Sequence, residues 1–230
     1  MTNESTSSKT PRRAFIGSIA TGAATLGMAS FVNPFQLNAE TGIAGSPADA
    51  DAWFSTIKGK HRIVFDVTQP HEIFPFAWPK VYLVTNSATG TPENMCSVVV
   101  VLRHSAIGYA MNNDLWTKYK FGEMFKVDDP QTKSAATSNP FLQRPADKIP
   151  GVGEVQIGIE DLQKSGVMFC VCDMALTVFS AAAAMGMSGD AAEIKKEWTA
   201  GVLPNIQVVP SGVWAVGRAQ EHGCAYCFAG

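Results

Sequence analysis

The sequence predicts an α/β protein, a three-layer sandwich in which a mostly parallel sheet of about five strands has helices on both faces. Short apolar runs rich in β-branched residues alternate along the chain with longer stretches of helical spacing. This alternation is typical of parallel sheets. Residues 98–102 and 167–172 are continuously apolar, as expected of strands that are covered on both faces.

The elements are predicted in a regular order along the body of the chain. Strands are expected at residues 61–67, 97–102, 167–172, 206–209 and 224–228. Helices are expected at residues 70–87, 106–125, 160–166, 176–187, 190–200 and 213–222. The first helix is entered through prolines, and Gly166 stops the third, which are ordinary helix boundary signals. Residues 126–150 contain several prolines and many polar side chains, which predicts a long loop or lid.

Composition and charge narrow the class of protein. Hydrophobic residues make up 46% and charged residues 17% of the 230 residues, which is typical of a globular chain. The formal net charge is -2, and the sequence has neither a basic stripe nor an acidic tail. Because nucleic-acid binding needs a basic surface, we do not expect nucleic acid as a partner.

The N-terminal region has the features of an export signal. Arg12 and Arg13, followed by Phe15, precede a mildly apolar run rich in glycine, alanine, serine and threonine. This order resembles a twin-arginine signal. Residues 1–50 are therefore predicted to be a twin-arginine export signal with a flexible tether, and residues 51–230 to be the α/β domain. We expect a periplasmic or otherwise exported protein that touches the membrane only through an uncleaved signal.

Residues with useful chemistry follow three of the predicted strands. In parallel sheets, ligands bind beyond the carboxyl ends of the strands. One strand is followed by a basic and polar turn, the next by a cysteine and an acid, and the third by a tight polar turn. The residues concerned are Arg103, His104 and Ser105, then Cys172 and Asp173, then Pro210, Ser211 and Gly212. We expect these side chains to converge in one pocket.

Cys172 is the strongest candidate for a reactive residue among the five cysteines. A thiolate reacts and needs an electropositive setting, which the start of the following helix supplies, although Asp173 opposes it locally. His104 could accept the proton or supply positive charge. The competing interpretation is that Cys172 is a small buried apolar residue. Cys170 and Cys96 are expected to be structural.

Cys224 and Cys227 raise a second possibility near the end of the chain. In a turn, the two thiols could form a redox pair or, with His222 and further ligands, a metal site. In a strand they would point to opposite faces and simply pack. The sequence leaves these alternatives open, although a metal is not expected.

Three segments of the chain resemble the DsrE/DsrF-like family. They are Val98–His104, the block from Gly166 to Cys172, and Val209–Val213 with the later Ala219 and Gln220. The resemblance implies the DsrE/DsrF-like form of the sandwich and a sulfur-relay subunit in a homo-oligomer, with a trimer as one form. It also implies that Cys172 carries sulfane sulfur as a persulfide, with no other cofactor. The chain departs from the family pattern at Ser105, where a glycine is usual, and in the long segment 126–150.

The resulting hypothesis is an exported sulfur-relay or sulfurtransferase-like protein, in which Cys172 exchanges sulfur with a donor or acceptor protein or with a small sulfur species. Whether it is an enzyme is left open. One alternative is a non-catalytic module that binds a small ligand between His104, Cys172 and Ser211, or an oligomeric accessory module. The other is a Cys-X-X-Cys redox or metal-binding protein that uses Cys224 and Cys227.

Overall fold

The computed structural model describes residues 47–129 and 132–230. The predicted export signal, including Arg12, Arg13 and Phe15, lies outside the described residues. The first described element is helix α1 (Pro47–Phe54), and its Ala50 is fully buried. Residues 47–50, which were assigned to the tether, are therefore the first turn of a helix that packs on the domain. Within the described ranges, every helix is too short or too polar to cross a membrane.

The described part of the chain contains seven strands. In chain order they are β1 (His61–Val67), β2 (Cys96–Leu102), β3 (Asp147–Ile149), β4 (Gly153–Val155), β5 (Val167–Cys172), β6 (Ile206–Val209) and β7 (Ala225–Phe228). Five of them form one sheet in the order β6-β5-β2-β1-β7, and every pairing in it is parallel. β3 and β4 form a separate antiparallel hairpin. The predicted fold class, a parallel five-stranded sheet flanked by helices, is confirmed.

The remaining helices follow α1 in chain order. They are α2 (Phe74–Ala88), α3 (Asn113–Tyr119), α4 (Phe121–Phe125), α5 (Ile159–Lys164), α6 (Asp173–Met187), α7 (Ala191–Ala200) and α8 (Gly212–Glu221). Two 3-10 helices, Glu93–Met95 and His104–Ala110, flank β2.

The sheet separates two apolar cores. The larger core lies between one face and α2 to α7, and Val98, Val100 and Leu102 of β2 point into it. The smaller core lies on the opposite face under α1 and α8, and Val99 and Val101 point into it. Because alternate residues of β2 feed different cores, the whole strand is buried, as its unbroken apolar run predicted.

The prediction of one helix over residues 106–125 is wrong. The segment begins as the 3-10 helix His104–Ala110 and restarts as α3, where the Asn112 side chain accepts a hydrogen bond from the backbone N–H of Leu115 (3.0 Å). Lys120, with a φ of 50°, separates α3 from α4. Apolar spacing alone could not reveal these breaks, because all of these short helices bury their apolar faces in the same core.

Candidate functional site

The carboxyl ends of β5 and β6 form the topological switch point of the sheet. β5 leads into α6 over the larger core, whereas the neighbouring β6 leads into α8 over the smaller core. Where adjacent parallel strands connect to opposite faces, a crevice opens beyond their carboxyl ends, and ligands of open α/β sheets bind there. Cys172 ends β5 opposite Val209 of β6, and Ser211 lies two residues after the end of β6. Both therefore border this crevice.

Cys172 is the N-terminal cap of α6. Its Sγ accepts a hydrogen bond from the backbone N–H of Ala175 (3.3 Å), and the residue is 6% exposed. The preceding amide, that of Met174, donates to the backbone carbonyl of Pro210 (3.3 Å) and so joins the start of α6 to the loop after β6. A helix N-terminus is one of the settings in which proteins place reactive thiols.

The acid next to Cys172 is held by a cation. Asp173 is buried, and its Oδ2 lies 2.9 Å from the Nζ of Lys195 on α7. This ion pair offsets the repulsion that the Asp173 charge would otherwise exert on an anionic sulfur at the same helix end. Lys195 could not be picked out from the sequence, since α7 has the pattern of an ordinary amphipathic surface helix.

A charged cluster spans the carboxyl ends of β1, β2 and β7. The Nε and Nη2 of Arg103 donate to the two carboxylate oxygens of Asp66 at 2.6 and 2.9 Å, and the hydroxyl of Tyr226 donates to Asp66 Oδ2 at 2.9 Å. Asp66 is 2% exposed. The hydrogen bonds from Arg103 to Asp66 raise the pKa of the Arg103 guanidinium, although burial opposes the shift. The charges of Asp66, Tyr226 and Cys172 add smaller contributions that also raise it.

Arg103 and Cys172 are neighbours across the sheet. Leu102 of β2 pairs with Val171 of β5. The residues that follow them, Arg103 and Cys172, are therefore side by side at the carboxyl ends of the two strands. Arg103 was predicted to belong to the pocket, but Asp66 and Tyr226 were not among the predicted site residues. An aspartate inside the apolar run of β1 was the signal that could have found the first of them.

The turn after β6 contacts the aliphatic part of the Arg103 side chain. Ser211 caps α8 by accepting a hydrogen bond from the backbone N–H of Trp214 (3.2 Å). A Cβ on Gly212 would lie 2.4 Å from Cβ and 2.6 Å from Cδ of Arg103, which is closer than real carbon contacts. Glycine at this position therefore lets the arginine stem pass the start of α8 on its way to Asp66.

The His104 ring contacts Phe179 of α6. His104 is exposed, its backbone is left-handed (φ 50°), and its ring stands edge-on to Phe179 with 5.6 Å between centroids. Its Nδ1 is 3.3 Å from the hydroxyl of Ser105, which donates to the carbonyl of Thr68. In the described residues, no hydrogen bond joins His104 to Cys172. The cation next to Cys172 on the neighbouring strand is Arg103.

Cys224 and Cys227 pack on opposite faces of the sheet. Cys224 belongs to the smaller core and Cys227 packs against the larger one, since β7 is a strand rather than a turn. Burial raises the pKa of Cys224 to about 11. The backbone carbonyl of His222 accepts a hydrogen bond from Arg62 Nη1 (2.8 Å). Among the described residues, all five thiols are free and no cluster of three acids, histidines or cysteines could hold a metal.

The segment 126–150 lines a different cavity. A space of 590 Å³ lies between residues 126–141 and the turn at Pro70–Ile73, with Tyr109 and Phe141 among its apolar lining. Neither Cys172 nor Arg103 lines it. The loop that was predicted as a lid therefore borders a cavity near the end of β1 rather than the switch-point crevice.

Comparison with known proteins adds a distant likeness in fold. No protein-family model matches the chain, and no curated protein matches it. Among solved structures, the chain is similar to MTH1491 of Methanobacterium thermoautotrophicum, a protein of unknown function, with 15% identity and a TM-score of 0.39. The match covers 74% of this chain and 99% of that one. The fold assignment rests on the sheet itself, and the DsrE/DsrF-like family stays a resemblance.

Proposed function

We propose that this protein handles sulfane sulfur and that Cys172 carries it as a persulfide. The observation that supports this most directly is the position of Cys172. It lies at the switch point of the sheet, caps the 15-residue helix α6 through its sulfur, and has Arg103 next to it on the neighbouring strand. The resemblance to the DsrE/DsrF-like family supports the same proposal, because it matches Cys172 to the sulfur-carrying cysteine.

The proposed transfer is a thiol–persulfide exchange. The Cys172 thiolate attacks the outer sulfur of a donor persulfide, R–S–S⁻. A new S–S bond forms on Cys172, the donor S–S bond breaks, and its electron pair leaves with the donor as R–S⁻. The reverse exchange with an acceptor thiolate delivers the sulfur. Atoms and charges balance in each step without an added oxidant or reductant.

The chain supplies the setting for this exchange. The Ala175 amide holds the negative sulfur at the end of α6, and Lys195 neutralises the neighbouring Asp173. Since only 6% of Cys172 is exposed, a bulky donor could reach it only with a slender terminal sulfur. The crevice would therefore admit small sulfur species, or a protein persulfide at the end of an extended side chain.

The proposal includes an exported, oligomeric setting. The twin-arginine signal predicted around Arg12 and Arg13 would take the folded domain out of the cytoplasm. α6 has no ionisable residue after Asp173, yet its Val178 and Met185 are exposed. A helix that is apolar on its outer face favours contact with another protein surface, which supports the homo-oligomer implied by the resemblance.

The test is sulfur loading followed by residue-resolved mass spectrometry. Reduced protein is treated with inorganic polysulfide, and we expect a mass gain of one sulfur atom located on Cys172. Cys172→Ser should lose the gain. Cys227→Ser is the matched control, because Cys227 is the more exposed of the two thiols, and it should keep the gain. Loading of Cys227 alone, or equal loading in Cys172→Ser, would contradict the proposal and leave the ligand-binding module as the better hypothesis.

A further inference from the structure

Only two of the three nitrogens of the Arg103 guanidinium donate hydrogen bonds to described residues. Its Nε and Nη2 donate to Asp66, which also accepts from Tyr226. The Arg103 Nη1 makes no hydrogen bond to any residue in the ranges 47–129 and 132–230, and the side chain is 28% exposed. One edge of the cation is therefore fixed by Asp66, and the other edge has no hydrogen-bond partner among the described residues.

This arrangement exceeds what a structural ion pair needs. Burying a carboxylate such as Asp66 is costly, and a buried ion pair is often no more stable than apolar residues of similar volume. Here the carboxylate takes donors from two other strands, and Gly212 leaves space for the arginine stem. The result is a guanidinium of fixed orientation, held toward Asp66 of β1 and carried by the residue next to Cys172 in the strand register.

We propose that Arg103 is the anion-recognising residue of the Cys172 site, that Asp66 and Tyr226 are its positioning residues, and that the site prefers sulfur donors whose leaving group is an oxyanion. This inference rests on the proposed function, and it adds the substrate class: thiosulfonate anions, of which thiosulfate is the simplest. A planar guanidinium with a free N–H edge suits the oxygens of such an anion, as it suits carboxylates and phosphates.

The reaction with such a donor is balanced. The Cys172 thiolate attacks the outer sulfur of thiosulfate, an S–S bond forms on Cys172, and the S–S bond of thiosulfate breaks. The electron pair leaves with sulfite, so a thiolate and a dianion yield a persulfide anion and a dianion. Because nucleophile and donor repel one another, a fixed cation beside Cys172 lowers the electrostatic barrier to their approach.

The test compares two alkylating reagents of similar size, the anion iodoacetate and neutral iodoacetamide. Both convert the same thiolate into a thioether and release iodide, so their rate ratio at Cys172 measures attraction for anions. The variant is Arg103→Gln with Asp66→Asn, which removes both charges together and leaves the local net charge unchanged. Arg144 and Asp147 form a bidentate pair of similar geometry (2.7 and 2.6 Å) away from the crevice. Arg144→Gln with Asp147→Asn is therefore the matched control.

We expect the iodoacetate to iodoacetamide ratio at Cys172 to fall about twofold in the Arg103–Asp66 double variant. This is less than the roughly fivefold factor for a lone unit charge about 4 Å from the anion in water, because the Asp66 charge is removed together with the cation. Tyr226→Phe should lower it less, and the Arg144–Asp147 double variant should keep the wild-type ratio. Sulfur loading from thiosulfate should fall in parallel. An unchanged ratio in the Arg103–Asp66 double variant overturns the role of Arg103. Wild-type protein that takes no sulfur on Cys172 overturns the proposed function instead, and the alkylation ratio still reports on Arg103.

Discussion

Two cysteines of β5, Cys170 and Cys172, have contrasting surroundings. Cys170 lies in the interior of the strand, and Cys172 lies at its carboxyl end. Cys170 is completely buried in the smaller core beside Val99 and Val101, and burial raises the pKa of its thiol. Cys172 ends the strand, and its sulfur accepts an amide hydrogen bond from the next helix. The reactivity of a thiol in this fold therefore depends on whether the strand continues beyond it or is followed directly by the N-terminus of a helix.

The sharpest way to break this comparison is to replace each sulfur by oxygen. Cys170→Ser buries a hydroxyl in an apolar core, and we expect it to lower the free energy of unfolding by about 2 kcal/mol. Cys172→Ser keeps a side chain that caps α6, since serine is a favoured N-cap, and should change stability by only about 0.5 kcal/mol. Urea unfolding of the two variants and the wild type measures both effects.

The two variants should differ in the reverse order in sulfur loading, with the larger effect in Cys172→Ser. Sulfur loading by polysulfide should persist in Cys170→Ser, provided the protein is kept well below its unfolding midpoint, and should disappear in Cys172→Ser. If Cys172→Ser were the more destabilised variant, Cys172 would be a core residue like Cys170, and the distinction between interior and strand end would be lost.

The parallel sheet could be predicted from the sequence because each strand has a recognisable local pattern of residues. β2 and β5 are unbroken apolar runs, and all five sheet strands lie within a residue of the predicted ranges. The helix predicted over 106–125 failed for the opposite reason. Its breaks depend on backbone conformation at Lys120 and on the cap at Asn112, and neither interrupts the apolar spacing that predicted the helix.

The candidate site could be predicted only as far as residues adjacent to strand ends. Cys172, Arg103 and Ser211 were identified because each follows an apolar run. Asp66 and Tyr226 could not be joined to them, since they are 160 residues apart and meet only because β7 pairs with β1. Lateral order in a sheet is set by long-range packing, and a single sequence does not encode it in any local pattern.

Two glycines of α8 sharpen the comparison at the crevice. A methyl group on Gly212 would overlap the Arg103 stem, with 2.4 Å to its Cβ, so Gly212→Ala should lower the free energy of unfolding by about 1–2 kcal/mol. Gly217 lies in the same helix with nothing within 4 Å of an added Cβ. Gly217→Ala should therefore stabilise the protein by about 0.5–1 kcal/mol through helix propensity.

If Gly212→Ala lowers and Gly217→Ala raises the free energy of unfolding in urea, glycine is required where the Arg103 side chain passes the start of α8. Gly212→Ala should also lower the iodoacetate to iodoacetamide ratio at Cys172, because the displaced stem moves the guanidinium. Equal stabilisation by both alanines would show that Arg103 moves aside freely, and the orientation argued for its guanidinium would then be abandoned.

The last comparison concerns a second interior thiol, Cys224, and its response to pH. Burial, opposed in part by the Arg62 charge, raises the pKa of Cys224 from 9 to about 11. Below pH 9 the thiol is protonated in both the folded and unfolded states, so its contribution to stability is fully present. Between pH 9 and about 11 the unfolded chain releases this proton while the folded protein retains it, so the contribution is lost as pH rises. We expect Cys224→Ala to show a shallower alkaline fall in the urea midpoint than the wild type under reducing conditions, and curves that stay parallel across this window would place Cys224 with the thiols open to solvent rather than with Cys170.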